Sequence, residues 1–352
     1  MSEAKELLNA GIIGAGFMGK TYARTLSSLV EGVRFAGVAG GSYAPELARE
    51  YGVPCFDTPE QLAEDNGIDA VFVATPHAIH TENALAAVRA GKHVFIDKPM
   101  AHSVEACDEI LDGCRAGGLK CSITFAQRNR IGFLKAKEVI DSGALGRVLH
   151  IRTYHVISGG MDALPKWQMA PENLGVLFGH GIHNFDGLRA LTGREISSVF
   201  AKCRSISGAA VEGTSDVLAT LDDGTVHYLF CSFEVSKPGF PRTEFAARID
   251  CEGGLIDMDC YGETRLARNG GDFEPLAIQP PIDWAGQGFL DPTRLKAYAA
   301  MIQDWADSIH EDREPVVTGW DGRQAVAAAL AAYESSRSGK EVALAPCPPA
   351  QT

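Results

Sequence analysis

The sequence predicts an α/β protein of two domains: a doubly wound parallel sheet over residues 1–125, then an α+β domain with a mainly antiparallel sheet over residues 126–345. Three observations carry this. Short runs that are apolar on both faces alternate with longer amphipathic runs as far as residue 125, the pattern of a parallel sheet covered by helices on both sides. From about 196 to 268 strand-like runs instead follow one another without intervening helices, which suits antiparallel pairing. The length, 352 residues, exceeds one small core and fits two ordinary domains.

In order, the first domain reads as LLNAGIIG, a helix from about Met18, VRFAGVAG, a helix from about Pro45 and AVFVAT at 70–75. Next come a helix over 79–90, HVFID at 93–97, a helix over 103–117, and KCSITF at 120–125. A helix near 131–142 leads to RVLHIRTYHV, an irregular stretch and a helix containing GVLFGHGIHNFD at 175–186. The runs SSVFAKCRSI, SDVLATL, TVHYLFCSFEV, TEFAARIDC and LIDMDCY follow. Asp222-Asp223-Gly224-Thr225 and Glu252-Gly253-Gly254 mark turns of an antiparallel meander packed on helices at one face. Helices at 293–312 and 320–337 close the chain, and the Pro-rich tail APCPPAQT reads as frayed.

A net charge of −13 and the absence of any Lys/Arg block exclude nucleic acid and anionic lipid as partners. The amino terminus MSEAKELLNA carries charges where a signal peptide needs an apolar run, and no stretch is long enough to span a bilayer, so a cytoplasmic protein is expected. The nine cysteines form no C-x-x-C pair. Cys107 and Cys114 stand at helical spacing as buried small residues, and the set reads as reduced thiols.

Gly14-Ala15-Gly16-Phe17-Met18-Gly19 follows an apolar strand and opens a helix, the setting a dinucleotide-binding loop requires. Gly14 permits the turn, Gly16 lets backbone approach a pyrophosphate, and Gly19 packs helix on strand. The free amides of the helix start then receive the phosphate charge. The second strand ends at Gly40-Gly41-Ser42, without the acidic residue that grips the ribose of NAD and without an adjacent arginine for NADP. Both cofactors remain open, with a lean to NAD. Thr75-Pro76-His77, His80 and Asp97-Lys98-Pro99 lie at the carboxyl ends of strands, where an open α/β sheet binds ligands, so they border the nicotinamide end of the cofactor.

Together the GAGFMG loop, TPHAIH, AGKHVFIDKP and GVLFGHGIHNFD resemble, in order and spacing, the glucose–fructose oxidoreductase and inositol dehydrogenase family, Gfo/Idh/MocA. The resemblance runs over nearly the whole chain. It implies an amino-terminal Rossmann domain, a carboxy-terminal domain with a large open sheet that mediates assembly into a dimer or tetramer, and NAD(P)-dependent oxidation of sugars, cyclitols or related diols. The family's Glu-Lys-Pro lysine matches Lys98, its G-x-H-x-x-D histidine matches His183, and the closing aspartate is Asp186. Two positions depart from the pattern: Asp97 stands for the glutamate, and Gly179 for the aspartate four residues before the histidine, with His180 directly after it.

Oxidising a secondary alcohol needs a base for the hydroxyl proton, and an imidazole suits that work. His183 is expected as that base, with Lys98 stabilising the developing alkoxide and His180 substituting for the missing carboxylate. A structural histidine pair is one competing reading. A metal site is another, with Asp186, His155 or His80 completing the set; the family's use of the lysine favours no metal. Gln127 is expected at the cofactor. Arg128, Tyr154, Lys166 and Trp167 are expected at the substrate, with Asn129, Arg130 and His155 as weaker pocket candidates. An aromatic dihydrodiol dehydrogenase, a redox-assisted glycosidase on the same fold and a non-enzymatic dinucleotide sensor are the alternative functions.

Overall fold

The computed structural model describes residues 7–236 and 245–345. The tail from residue 346 onward and the first two residues of TEFAARIDC lie outside the described residues. The chain divides into two compact units, Met1–Ala126 with Ile282–Arg323 and Gln127–Pro281 with Gln324–Thr352.

The first unit is built from β1 (Leu8–Ile13), α1 (Phe17–Ser28), β2 (Val33–Ala39), α2 (Ala44–Tyr51), β3 (Cys55–Phe56), α3 (Pro59–Glu64), β4 (Ala70–Val73), α4 (His80–Arg89), β5 (His93–Ile96), α5 (Val104–Gly117) and β6 (Cys121–Ile123). The strands pair in parallel in the order β3-β2-β1-β4-β5-β6. The order reverses between β1 and β4, which places a ligand crevice at their carboxyl ends. Local chemistry sets the helix boundaries. Ser103 caps α5 by accepting from the Ala106 N–H at 3.1 Å, Thr58 caps α3 in the same way, and Gly118 ends α5 in the left-handed conformation. The edge strand β3 and helix α3 are too short to raise a periodic signal, and the sequence reading lacks them.

The second unit contains α6 (Ile131–Asp141), β7 (Val148–Val156), a π turn (Leu177–Gly181) running into α7 (Ile182–Thr192), β8 (Ile196–Arg204), β9 (Thr214–Leu221), β10 (Val226–Ser232), β11 (Ala246–Cys251), β12 (Gly254–Asp259), β13 (Glu263–Arg268) and β14 (Glu274–Ile278). The chain then forms α8 (Pro292–His310), α9 (Gly319–Ser338) and β15 (Val342–Ala343). Nine strands form one open sheet in the order β14-β13-β12-β11-β7-β10-β9-β8-β15. Both expected turns join hairpins, β9 to β10 and β11 to β12. The meander is nevertheless interrupted: β7 lies between β10 and β11, parallel to the first and antiparallel to the second.

In the first unit Phe72 stacks on Phe95 at 4.7 Å and Trp305 of α8 meets both edge-on, so α8 is part of that unit's core. In the second, α6 and α7 pack on the sheet, with Phe133 of α6 against Phe245. The described cysteines are free thiols. No helix of the described residues is long and apolar enough to cross a membrane.

Candidate active site

The turn from β1 into α1 has the geometry its glycines predict. Gly14 sits at φ +104°, and a Cβ there would lie 2.5 Å from the Ala74 carbonyl oxygen. At Gly19 a Cβ would come within 1.9 Å of the Gly14 oxygen, so only glycine lets α1 approach the strand end this closely. Nothing lies within 4 Å of the Cβ position at Gly16, the cap residue of α1. The first-turn amides therefore face open space, a cradle that fits a pyrophosphate. Gly41 and Ser42 are exposed beside it, with the Cβ position of Gly41 3.7 Å from the Ala15 nitrogen. Phe17 stands edge-on to Phe289 under the Arg294 guanidinium, and Arg294 also reaches the Met18 sulfur at 3.8 Å. A cavity of about 300 Å³ next to Phe17 is lined by Lys20, Trp284, Gln287 and Phe289.

At the ends of β4 and β5 the side chains divide into those that hold the shelf and those that stand on it. His80 is fully buried, with Nδ1 2.7 Å from the Pro99 oxygen and Nε2 2.7 Å from the Thr75 oxygen. Burial lowers its pKa, opposed by the Asp97 charge. Each ring nitrogen stands against a backbone carbonyl, and the one that carries the proton donates to its partner, so His80 is packed between the two strand ends. It is neither the cofactor contact nor the metal ligand the sequence suggested. Thr75 and Pro76 lie on the shelf, and buried His77 packs edge-on against His80. Asp97 accepts from the Tyr22 hydroxyl at 3.0 Å, and that oxygen lies 2.5 Å from the Thr124 hydroxyl. Lys98 follows through a cis peptide to Pro99. Burial pushes its pKa down, while the neighbouring Asp97 carboxylate pulls it up.

In the second unit β7 and the helix carrying GHGIHNFD bring three imidazoles together. His155 of β7 stacks parallel to His183 at 6.2 Å and lies 5.9 Å from His180. Phe233 packs on His180 at 4.6 Å, and His180 Nε2 stands 3.2 Å from Gln168 Oε1. His180 belongs to the π turn and His183 to α7, so their common face is not that of a regular helix. The buried Asp186 carboxylate is gripped in two-pronged fashion by Arg128, with the Nε–Oδ2 bond at 2.9 Å. Arg128, expected at the substrate, and Asp186, weighed as a metal ligand, are thus paired with each other. No cluster of three or more His, Cys, Asp or Glu among the described residues is arranged to hold a metal ion.

The other candidates scatter. Gln127 donates to the Tyr261 hydroxyl at 2.8 Å, and Arg130 lies buried over the Tyr261 ring. Tyr154 is half-buried on β7, Trp167 half-buried on the turn Lys166–Met169, and Lys166 exposed.

Family models match both units. The one described as an oxidoreductase family with an NAD-binding Rossmann fold covers residues 8–125, and the GFO/IDH/MocA C-terminal domain covers residues 133–256. The chain belongs to the GFO/IDH/MocA family. It is therefore an NAD-binding oxidoreductase, its first unit the family's Rossmann fold. Among relatives, the chain is 29% identical to inositol 2-dehydrogenase 2 of Saccharopolyspora erythraea, with 97% of each chain covered. It is 26% identical to the NAD+-dependent scyllo-inositol 2-dehydrogenase of Bacillus subtilis, with 96% of each covered. An oxidoreductase from Agrobacterium radiobacter, solved with NAD+, L-tartaric acid and magnesium, has the same fold at a TM-score of 0.85 and 20% identity, covering 96% of this chain and 98% of that one.

Tyr22, Gln168 and Phe233 escaped the sequence reading. Each acts on a site residue from a distant position in the chain, and no spacing rule connects them.

Proposed function

We propose that this oxidoreductase acts on CH–OH groups, oxidising a secondary ring hydroxyl of a cyclitol, sugar or related cyclic diol to the ketone, or running the reverse reduction. The observation that carries the reading is Lys98: a half-buried ammonium at the carboxyl end of β5, next to the β4 strand end and its switch point. Full-length similarity to two inositol dehydrogenases supports a cyclitol as substrate.

When bound, NAD supplies the hydride acceptor. The remaining work falls to the chain. His183 takes the hydroxyl proton, and Lys98 donates a hydrogen bond to the substrate oxygen and stabilises its alkoxide character. His180 stands one imidazole away, across His155. It passes the proton on or holds a second hydroxyl, in place of the carboxylate absent at Gly179. Lys166 and Trp167 face the substrate; Tyr154 does not, since it alternates with His155 along β7 and points to the opposite face of the sheet. Gly14, Gly16, Phe17, Met18, Gly19, Gly41, Ser42, Thr75, Pro76 and His77 frame the dinucleotide.

The first unit serves as the dinucleotide-binding domain and the second as the substrate-binding and assembly domain. On the outer face of the sheet Phe200, Leu218 and Tyr228 stand in one cross-strand row, an apolar strip suited to pairing with a second copy. Free thiols suit a reducing compartment, the cytoplasm.

The test is a panel of cyclitols, aldoses, glycosides and cyclic diols with NAD, read by absorbance of the reduced nicotinamide. Turnover with a cyclitol or sugar is expected. Cleavage of a chromogenic glycoside without net NADH would replace the reading with the redox-assisted glycosidase.

A further inference from the structure

The helical segment that carries both histidines has no cap of its own. The cap residue Val176 offers no side-chain hydrogen bond, and the first four amides must find partners elsewhere. Two distant residues supply them all. The Gly175 and Phe178 N–H groups donate to the Tyr333 hydroxyl at 3.3 and 3.2 Å. The Val176 N–H donates to the Glu212 carbonyl at 3.1 Å, and the Leu177 N–H to Glu212 Oε1 at 2.7 Å. The Tyr333 hydroxyl closes the set by donating to Glu212 Oε1 at 2.9 Å. Room for the carboxylate depends on Gly175, where a Cβ would fall 1.5 Å from Glu212 Oε2.

The capped stretch runs straight into the π turn Leu177–Gly181. A π turn holds one more residue than the α turn competing with it, so its register rests on contacts from outside the helix. We propose that Glu212 and Tyr333 are positioning residues: their shared cap fixes the register of the π turn and so the orientation of His180 and His183 for proton transfer. The proposal rests on the reading of His183 as the base and adds the device that aims it.

The cap also carries a titratable element. Burial pushes the Glu212 carboxyl up to about 7, against the opposing pull of the Leu177 and Tyr333 bonds. The groups facing it keep their charge state near neutrality. Burial raises Tyr333 of α9, Cys203 of β8 and Cys231 of β10. Glu234, beyond β10, is lowered despite its burial by bonds from Ser207, Ile206 and Thr214. As pH rises through 7, Glu212 alone gains a charge, and its bonds to the first helical turn become charge-assisted and tighter.

Imidazole NMR shifts of His180 and His183, followed from about pH 6 to about pH 8 in the NAD-bound protein without substrate, test this directly. Wild type should show in both rings an inflection near 7 that follows the Glu212 carboxyl. Glu212→Gln keeps a hydrogen-bonding cap but should lose that inflection. Glu212→Ala and Tyr333→Phe should shift both rings at every pH and lower kcat by about ten- to a hundredfold, with KM for NAD unchanged. Glu212→Gln should restore most of the turnover lost in Glu212→Ala. Should Glu212→Ala fail to fold, Tyr333→Phe, which keeps the carboxyl and the ring, decides alone. Unchanged imidazole shifts in a folded variant, with only thermal stability reduced, overturn the proposal. Shifts as expected in a protein that turns over no polyol would instead refute the substrate reading and leave the cap standing.

Discussion

At the end of β5 the polar side chains are held within the Rossmann unit itself: His80 lies against the Thr75 and Pro99 carbonyls, and Tyr22 of α1, backed by the Thr124 hydroxyl, donates to Asp97 beside Lys98. The imidazoles of the second unit are held otherwise. His155 comes from β7, Gln168 from a short turn and Phe233 from beyond β10, while the start of their helix hangs on Glu212 and Tyr333. A strand-end site is rigid because the sheet is rigid. A site on a helix start is only as rigid as the distant residues that satisfy its amides.

The largest expected effects come from the two proposed catalytic groups. Lys98→Ala and His183→Ala should each lower kcat by about 10² to 10⁴ in steady-state assays, without loss of the folded state. If only Lys98→Ala does so, the second unit binds substrate but does not move its proton, and the contrast between the sites becomes one of function.

Next is the buried ion pair between Arg128 and Asp186 of α7. Arg128→Ala strands the buried Asp186 carboxylate and should cost about 3–5 kcal/mol in urea unfolding. If KM rises while stability holds, Arg128 touches substrate after all.

The smallest effect is a pH dependence in the sheet. His227 is fully buried with Nε2 2.8 Å from the Thr153 hydroxyl, and burial, with a smaller push from His150, lowers its pKa to about 3. Below its ordinary value near 6.5 the unfolded imidazole binds a proton that the folded one refuses, so stability is full above that value and is lost as pH falls toward 3. His227→Gln should flatten this slope in unfolding curves taken across the acid range. An unchanged slope would assign acid lability to other groups.

Much of the first unit was legible because its signals are local. A glycine at positive φ, a strand apolar on both faces and a lysine before a strand-end proline each show within a few residues. Lys98 and His183 stood out by their motifs. The reading failed where a residue's partner is remote. The Arg128–Asp186 pair was not legible because nothing near Arg128 announces Asp186, and His80 looked available because its two carbonyl partners carry no side-chain signature. The meander expected from consecutive strands omitted β7, which enters the middle of the sheet from earlier in the chain.

The amino-acid order alone determined the alternation of strands and helices, the anion cradle at Gly14–Gly19 and the presence of a lysine and a histidine at positions matching the family's motifs, since periodicity and backbone sterics act over a few residues. Tertiary structure alone decided which polar groups are left to face a ligand. Asp186, His80 and Asp97 are consumed by Arg128, by backbone carbonyls and by Tyr22, and the π turn is set by a glutamate and a tyrosine. Burial forces each polar group to find a partner, and the fold determines which partner lies within reach.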